Sequence, residues 1–105
     1  MENKLSILIP AYNEEKTIIS VLDKVLSQNF NSWDKEIIVI NDASRDATAE
    51  KVQPFLNRIK YNKHNQNQGK GAAIKTGLKE AGGNAVIVQD ADLEYDPADI
   101  QLLLD

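Results

Sequence analysis

Three short apolar runs and one weaker strand segment, each followed by a segment whose apolar residues recur at helical spacing, constrain this chain of 105 residues more than any other feature. The first run, residues 5–10 (LSILIP), ends at Pro10. Asn13 is placed to cap a helix, with Glu14 and Glu15 in its first turn, where carboxylates suit the helix dipole. Ile18, Ile19, Leu22, Val25 and Leu26 then give that helix its apolar stripe. The second run, residues 36–40 (EIIVI), closes on Asn41-Asp42. Ser44 or Asp46 caps the next helix, with Ala49, Val52, Leu56 and Ile59 as its buried face. Pro54 lies too deep in that helix to sit at its first position, so a break is expected near Gln53. Residues 58–63 hold a third, weaker strand. Residues 71–81 read as a helix with Ile74 and Leu78 inward, ended by Gly82-Gly83. The last apolar run is residues 85–89 (AVIVQ), and Asp96-Pro97 opens a helix whose apolar face begins with Ile100, Leu103 and Leu104.

Continuous apolar strands alternating with helices imply an α/β fold, with a parallel sheet covered on both faces. The expected strand order is 3-2-1-4, with a switch point between strands one and four. Ligands of such sheets bind beyond the carboxyl ends of the strands, at that switch. Residues 11–15, 41–46 and 90–96 all fall there. The length suits a single domain. The last helix has barely started at Asp105, which gives the expectation that residues 1–105 are the N-terminal part of a longer protein.

Composition narrows the chemistry. Sixteen acids against twelve bases leave a net charge of −4, which argues against a general nucleic-acid binder. With no cysteine, thiolate zinc sites, iron–sulfur clusters, disulfides and a thiol nucleophile are excluded. His64 is the sole histidine, so no multi-histidine site exists. No apolar run approaches the roughly 20 residues that cross a bilayer. The first fifteen residues lack the apolar stretch of a signal peptide, and cytoplasmic placement is the expectation. Charge is also uneven along the chain. Residues 58–79 carry six bases and no acid, whereas residues 80–105 carry seven acids and no base. Solvated helix faces are one reading. A cleft with a cation-binding acidic wall and a phosphate-friendly basic wall is the other.

The carboxylates at strand ends carry the chemical signal. Asp90-Ala91-Asp92 directly follows an apolar strand, and Asp42 ends another. Hard cations such as Mg²⁺ or Mn²⁺ take carboxylate oxygens and share substrate phosphates. Alone, D-x-D is more often a pair of solvated loop acids; its place beside Asp42 at a sheet edge reverses that judgement. An EF-hand alignment fails, because Tyr95 stands where glycine is needed and Gln101 where glutamate is needed. A phosphoaspartyl site is weak, with Glu94 at its threonine or valine position. Gly69-Lys70-Gly71 before a helix is either a plain backbone turn or an anion-binding loop. It lacks the Walker spacing.

Four blocks in order, residues 9–15 (IPAYNEE), 38–48 (IVINDASRDAT), 67–73 (NQGKGAA) and 88–97 (VQDADLEYDP), resemble the nucleotide-sugar-dependent glycosyltransferases of family two with the GT-A fold. Among these the chain is similar to dolichyl-phosphate (polyprenyl-phosphate) mannosyl- and glucosyltransferases. Ala43 departs from the pattern, which usually has glycine there. The resemblance implies a Rossmann-like GT-A nucleotide-binding half. It implies that Pro10, Tyr12 and Glu14 contact the nucleotide, with Tyr12 near the base. Asp42 contacts the nucleoside, Ile40 lines the base pocket, and Lys70 lies in the block that closes beside the donor. Asp90 sits near the ribose or metal, Ala91 approaches the nucleotide through its backbone, and Asp92 ligates the metal. His64 gets no special role, and Trp33 packs at a helix end.

The implied activity is metal-dependent, inverting sugar transfer from a donor of the GDP-mannose or UDP-glucose type. The implied acceptor is a polyprenyl or dolichyl phosphate. A saccharide hydroxyl acceptor, or a non-catalytic nucleotide-binding module, are the alternatives. Any general base, and any membrane contact, are expected beyond Asp105. The full protein is then expected at the cytoplasmic face of a membrane. The chain alone is expected to self-associate or be marginally stable, and to transfer no sugar. A receiver-like domain ranks low, since the third strand ends in Asn62-Lys63-His64 with no acid. A nucleotidylyltransferase would need a glycine-rich loop where AYNEE stands.

Overall fold

The structure, a computed structural model, describes residues 3–31 and 33–92. Four parallel strands, β1 (Asn3–Ala11), β2 (Trp33–Asn41), β3 (Lys60–Lys63) and β4 (Ala85–Val88), lie in the order β3-β2-β1-β4. This is the expected 3-2-1-4 arrangement. Three helices connect them: α1 (Ile18–Ser27), α2 (Thr48–Val52) and α3 (Lys70–Glu80). The register sets Leu8 opposite Ile38 on β2 and Val88 on β4, and Asn41 opposite Lys63 on β3. No helix among the described residues is long and apolar enough to cross a membrane. The helix expected from Asp96-Pro97, with Ile100, Leu103 and Leu104, lies outside the described residues.

Alternation of side chains along a strand sorts the core into two layers. Leu5, Ile7, Ile9, Ile37 and Val39 face α1, where Ile18, Val21, Leu22 and Val25 meet them, with Phe30, Val52 and Phe55 closing the layer. Leu8, Ile38 and Ile40 face α3 through Ala73. Strand β1 is buried on both faces, which is why its sequence is a continuous apolar run rather than an alternating one. The edge strands β3 and β4 are only partly covered.

Several local expectations give way to tertiary demands. Asn13 caps no helix. It has φ 55°, α1 begins only at Ile18, and the Asn13 side chain instead accepts the Arg45 N–H at 2.8 Å. The break at Pro54 occurs as expected: α2 ends at Val52, and a 3₁₀ turn follows over Gln53–Phe55. The tighter turn shifts the phase of the stripe. Phe55 is therefore buried and Leu56 is 39% exposed. On α3, Leu78 is 51% exposed rather than inward, and Ala73 and Gly77 form the contact face. A Cβ on Gly77 would lie 2.8 Å from Ile40 Cδ1 and 3.1 Å from Leu8. The helix rides too close to the sheet for a large side chain on that face.

Candidate functional site

The carboxyl ends of β1, β2 and β4 lie at one edge of the sheet, and a cavity opens there. Pro10, Tyr12 and Glu14 line it from the end of β1, and Asp42 from the end of β2. Lys70 and Ala73 line it from α3, and Asp90, Ala91 and Asp92 from beyond β4. Every residue singled out in the sequence is thus brought to one place, with one exception. Ile40 is fully buried beneath α3 in the layer with Leu8 and Ile38, and does not line the cavity. Its strand position points it at the helix.

The loops after β1 and β2 are tied together by hydrogen bonds far apart in sequence. The Asn13 N–H donates to Ser44 Oγ at 2.9 Å, and the Glu14 N–H to Thr48 Oγ1 at 2.9 Å. The Glu15 N–H donates to Asp46 Oδ2 at 3.1 Å. Asp46 Oδ1 accepts the Thr48 N–H at 2.9 Å just ahead of α2, whose cap position is taken by Ala47, so neither Ser44 nor Asp46 is the expected helix cap. Burial would raise the Asp46 pKa, but these donors outweigh it and hold the carboxyl below its ordinary value. Thr17 Oγ1 donates to the Ala91 carbonyl at 2.5 Å and joins the β1 loop to the D-A-D segment. Ala43 has φ 61°. Such a turn favours glycine, which accounts for the glycine usual in this block.

Asp42 is held by three donors. It is 3% exposed. Oδ1 accepts the Gln68 N–H at 2.9 Å and meets His64 Nδ1 at 2.8 Å, and Oδ2 accepts the Gly69 N–H at 2.8 Å. Burial alone would push the Asp42 pKa up; the His64, Gln68 and Gly69 donors overcome it and hold the carboxyl low. Gly69 turns the chain into α3 with φ 96°. His64, given no special role from the sequence, is part of this network. It is 8% exposed, and its Nε2 meets Thr76 Oγ1 at 2.8 Å. The signal lay in the register. Asn41 and Lys63 are partners on adjacent parallel strands, so the residues that follow them, Asp42 and His64, leave the sheet side by side.

The opposite wall is acidic. The Glu14 pKa is raised, first by burial and then by the negative charge of Asp92, with smaller contributions from Asp46 and Asp90; the Thr17 hydroxyl partly offsets this. Lys70 Nζ pairs with Asp90 Oδ1. A divalent cation fits this set. The donors are hard carboxylate oxygens, and their mutual repulsion is what a cation relieves. Among the described residues no group of three or more such side chains forms a cage. The residues therefore suit an ion that completes its shell from water and phosphate oxygens, as Mg²⁺ commonly does.

Comparison with known proteins follows the same lines. The family described as glycosyl transferase family 2 matches residues 6–105. The dolichol-phosphate mannosyltransferase of Pyrococcus furiosus is 32% identical over 104 residues, covering 97% of this chain and 29% of the relative. A mannosyltransferase of Pyrobaculum calidifontis, solved in complex with GDP-Man and Mn²⁺, superposes with a TM-score of 0.82 at 25% identity, covering 100% of this chain and 33% of that one. Glucosyl-3-phosphoglycerate synthase of Mycobacterium tuberculosis, solved with Mn²⁺, UDP and glucosyl-3-phosphoglycerate, gives 0.80 at 27% identity, covering 97% of this chain and 38% of that one. The chain thus spans about a third of the length of these three proteins.

Proposed function

Because this chain belongs to glycosyl transferase family 2, we propose that its cavity binds the nucleoside diphosphate of a sugar donor of the GDP-mannose or UDP-glucose type. In the whole protein the sugar then passes, with inversion, to a polyprenyl or dolichyl phosphate. The observation that carries this reading is the convergence of Asp42, Lys70, Asp90 and Asp92 on one cavity at the carboxyl edge of the sheet. The similarity to the Pyrococcus enzyme supports the lipid-phosphate acceptor. The complex of the Pyrobaculum enzyme supports the donor and the cation.

Each side chain has a part in this reading. Asp42 accepts an N–H or O–H of the nucleoside, since a carboxylate offers acceptors only. Tyr12, 41% exposed at the cavity rim, offers a ring face to the base. Lys70, in the first turn of α3, supplies positive charge to the diphosphate together with the helix amino end. Asp92 and Asp90 would hold Mg²⁺ or Mn²⁺. When bound there, the cation supplies Lewis-acid stabilisation of the charge gathering on the leaving diphosphate. A lipid phosphate is already anionic, so its attack on the sugar needs no base from this chain; a hydroxyl acceptor would need one. A lipid acceptor also puts the reaction at a membrane face.

Titration of the protein with UDP- and GDP-sugars, with and without Mn²⁺, tests the reading. Asp92→Asn is expected to abolish the metal-dependent part of binding while leaving the circular dichroism spectrum unchanged, because an amide is a poorer ligand for a hard cation. Asp90→Asn is expected to weaken it less. Equal affinity of wild type and Asp92→Asn with Mn²⁺ present would refute the role. In the whole protein, transfer to added polyprenyl phosphate or to a saccharide separates the two acceptor classes.

A further inference from the structure

We propose that His64 is a positioning residue for nucleoside recognition: its ring fixes the Asp42 carboxylate so that Oδ2 keeps one acceptor site for a donor group of the bound nucleoside. The proposal rests on the nucleotide-binding reading above and adds to it a residue that does not line the cavity.

The argument is a count of donors and acceptors. A carboxylate has two oxygens and about four acceptor positions. On Asp42, Oδ1 takes two partners, His64 and the Gln68 N–H, and Oδ2 takes the Gly69 N–H. One position on Oδ2 is left by the described residues, on a side chain that lines the cavity. An acceptor there repels a diphosphate and suits an imide or amino N–H of a base, or a ribose hydroxyl.

The histidine is held from both sides. Asp42 is an acceptor only, so the ring nitrogen facing it carries the proton and Nδ1–H donates to Oδ1. On the other side, the Thr76 hydroxyl lies 2.8 Å from Nε2 and also 3.1 Å from the Ala72 carbonyl. It therefore completes the network whether the ring is neutral or charged. Thr76 belongs to α3, whose position is set independently by Ala73 and Gly77 packed on the sheet. His64 is thus a strut between the end of β2 and α3. Without it the carboxylate loses one donor on Oδ1 and is free to turn. The two loop N–H groups of Gln68 and Gly69 then draw on whichever oxygen is nearer, and the acceptor facing the cavity is no longer fixed. Lys70, held by its own helix and by Asp90, keeps its place for the diphosphate.

The test compares UDP, GDP and inorganic pyrophosphate as probes, by calorimetry with Mn²⁺, on wild type and three variants. His64→Leu is expected to weaken the preferred nucleotide about tenfold, the order of one charge-assisted hydrogen bond, and to change pyrophosphate affinity by less than about twofold. In His64→Asn the amide nitrogen stands where Nδ1 stood, so affinity is expected to return to within about threefold of wild type. In His64→Gln the amide nitrogen stands near Nε2, on the Thr76 side, and no such rescue is expected. If the leucine variant does not fold, the Asn and Gln variants decide by themselves. Equal losses for nucleotide and pyrophosphate, unchanged affinity in His64→Leu, or rescue by Gln as good as by Asn would each overturn the proposal while leaving nucleotide binding intact. Wild type that binds neither UDP nor GDP would overturn the nucleotide reading and this one together.

Discussion

Replacing Glu36 by glutamine removes a single charge from a carboxylate that four donors reach. Glu36 Oε2 accepts the Ser6 hydroxyl at 2.6 Å and the Gly82 N–H at 2.7 Å. Oε1 pairs with Lys60 at 2.6 Å and Lys4 at 3.5 Å, and the Glu36 side chain is 8% exposed. Burial by itself would raise its pKa, but Lys60, Ser6 and Gly82 reverse this and bring it from 4.5 down to about 2. That difference of about 2.5 pH units corresponds to about 3 kcal/mol, at about 1.4 kcal/mol per unit. Lys4 and Lys60 are about half exposed, so solvent screening trims the ion-pair share. The expected loss at pH 7 in Glu36→Gln is therefore about 2–3 kcal/mol, against about 5–15 kcal/mol for a domain of this size. The sign follows from the depressed pKa. The contribution is complete above pH 4.5 and is lost as pH falls through about 2. Urea unfolding of wild type and variant at steps from pH 7 to pH 2.5 measures the gap. It is expected to narrow below pH 4.5 and to fall to about a quarter of its pH 7 value at pH 2.5. Glu36 lies six residues before Asp42, roughly 20 Å along the strand, so nucleotide affinity of the folded variant is expected to be unchanged. A gap below about 1 kcal/mol at pH 7, or one that stays constant into acid, would refute the reasoning.

Two further substitutions probe the backbone. Ala43 holds φ 61°, a conformation that costs a non-glycine residue about 1–2 kcal/mol, against which glycine loses about 0.4–1 kcal/mol of unfolded-state entropy advantage. Ala43→Gly is expected to raise the thermal midpoint by a few degrees, and a lowered midpoint in a melting curve would count against the strain. A Cβ on Gly83 would lie 2.6 Å from the Lys4 carbonyl and 2.8 Å from the Ser6 nitrogen, both backbone atoms that do not swing aside. Gly83→Ala is expected to cost about 1–3 kcal/mol in denaturant unfolding, and a neutral result would mean that the turn after α3 shifts freely.

Much of the architecture is local and so was legible in the sequence. Apolar runs such as residues 5–9 and 36–40, separated by helical stripes, specify strands buried on both faces, and short connections between them leave few parallel topologies. The site was legible for a related reason. Tyr12 and Asp42 directly follow β1 and β2, Asp90 and Asp92 lie just past β4, and the ends of parallel strands meet at one edge whatever the side chains in between do. What the tertiary structure decided depends on distance across elements rather than along them. Periodicity marks Leu78 as apolar, yet the close approach of α3 to Ile40 and Leu8 demands glycine at 77 and leaves Leu78 outside. Asn13 has the chemistry of a helix cap, but a loop 31 to 32 residues further on takes its backbone and side-chain hydrogen bonds first. Ile40 sits next to the site in sequence and on the wrong side of the strand in space. His64 and Glu36 show the same limit in polar form. Their partners come from neighbouring strands and helices, and only the register of β2 against β3 and β1 puts an acceptor and its donors within reach of one another.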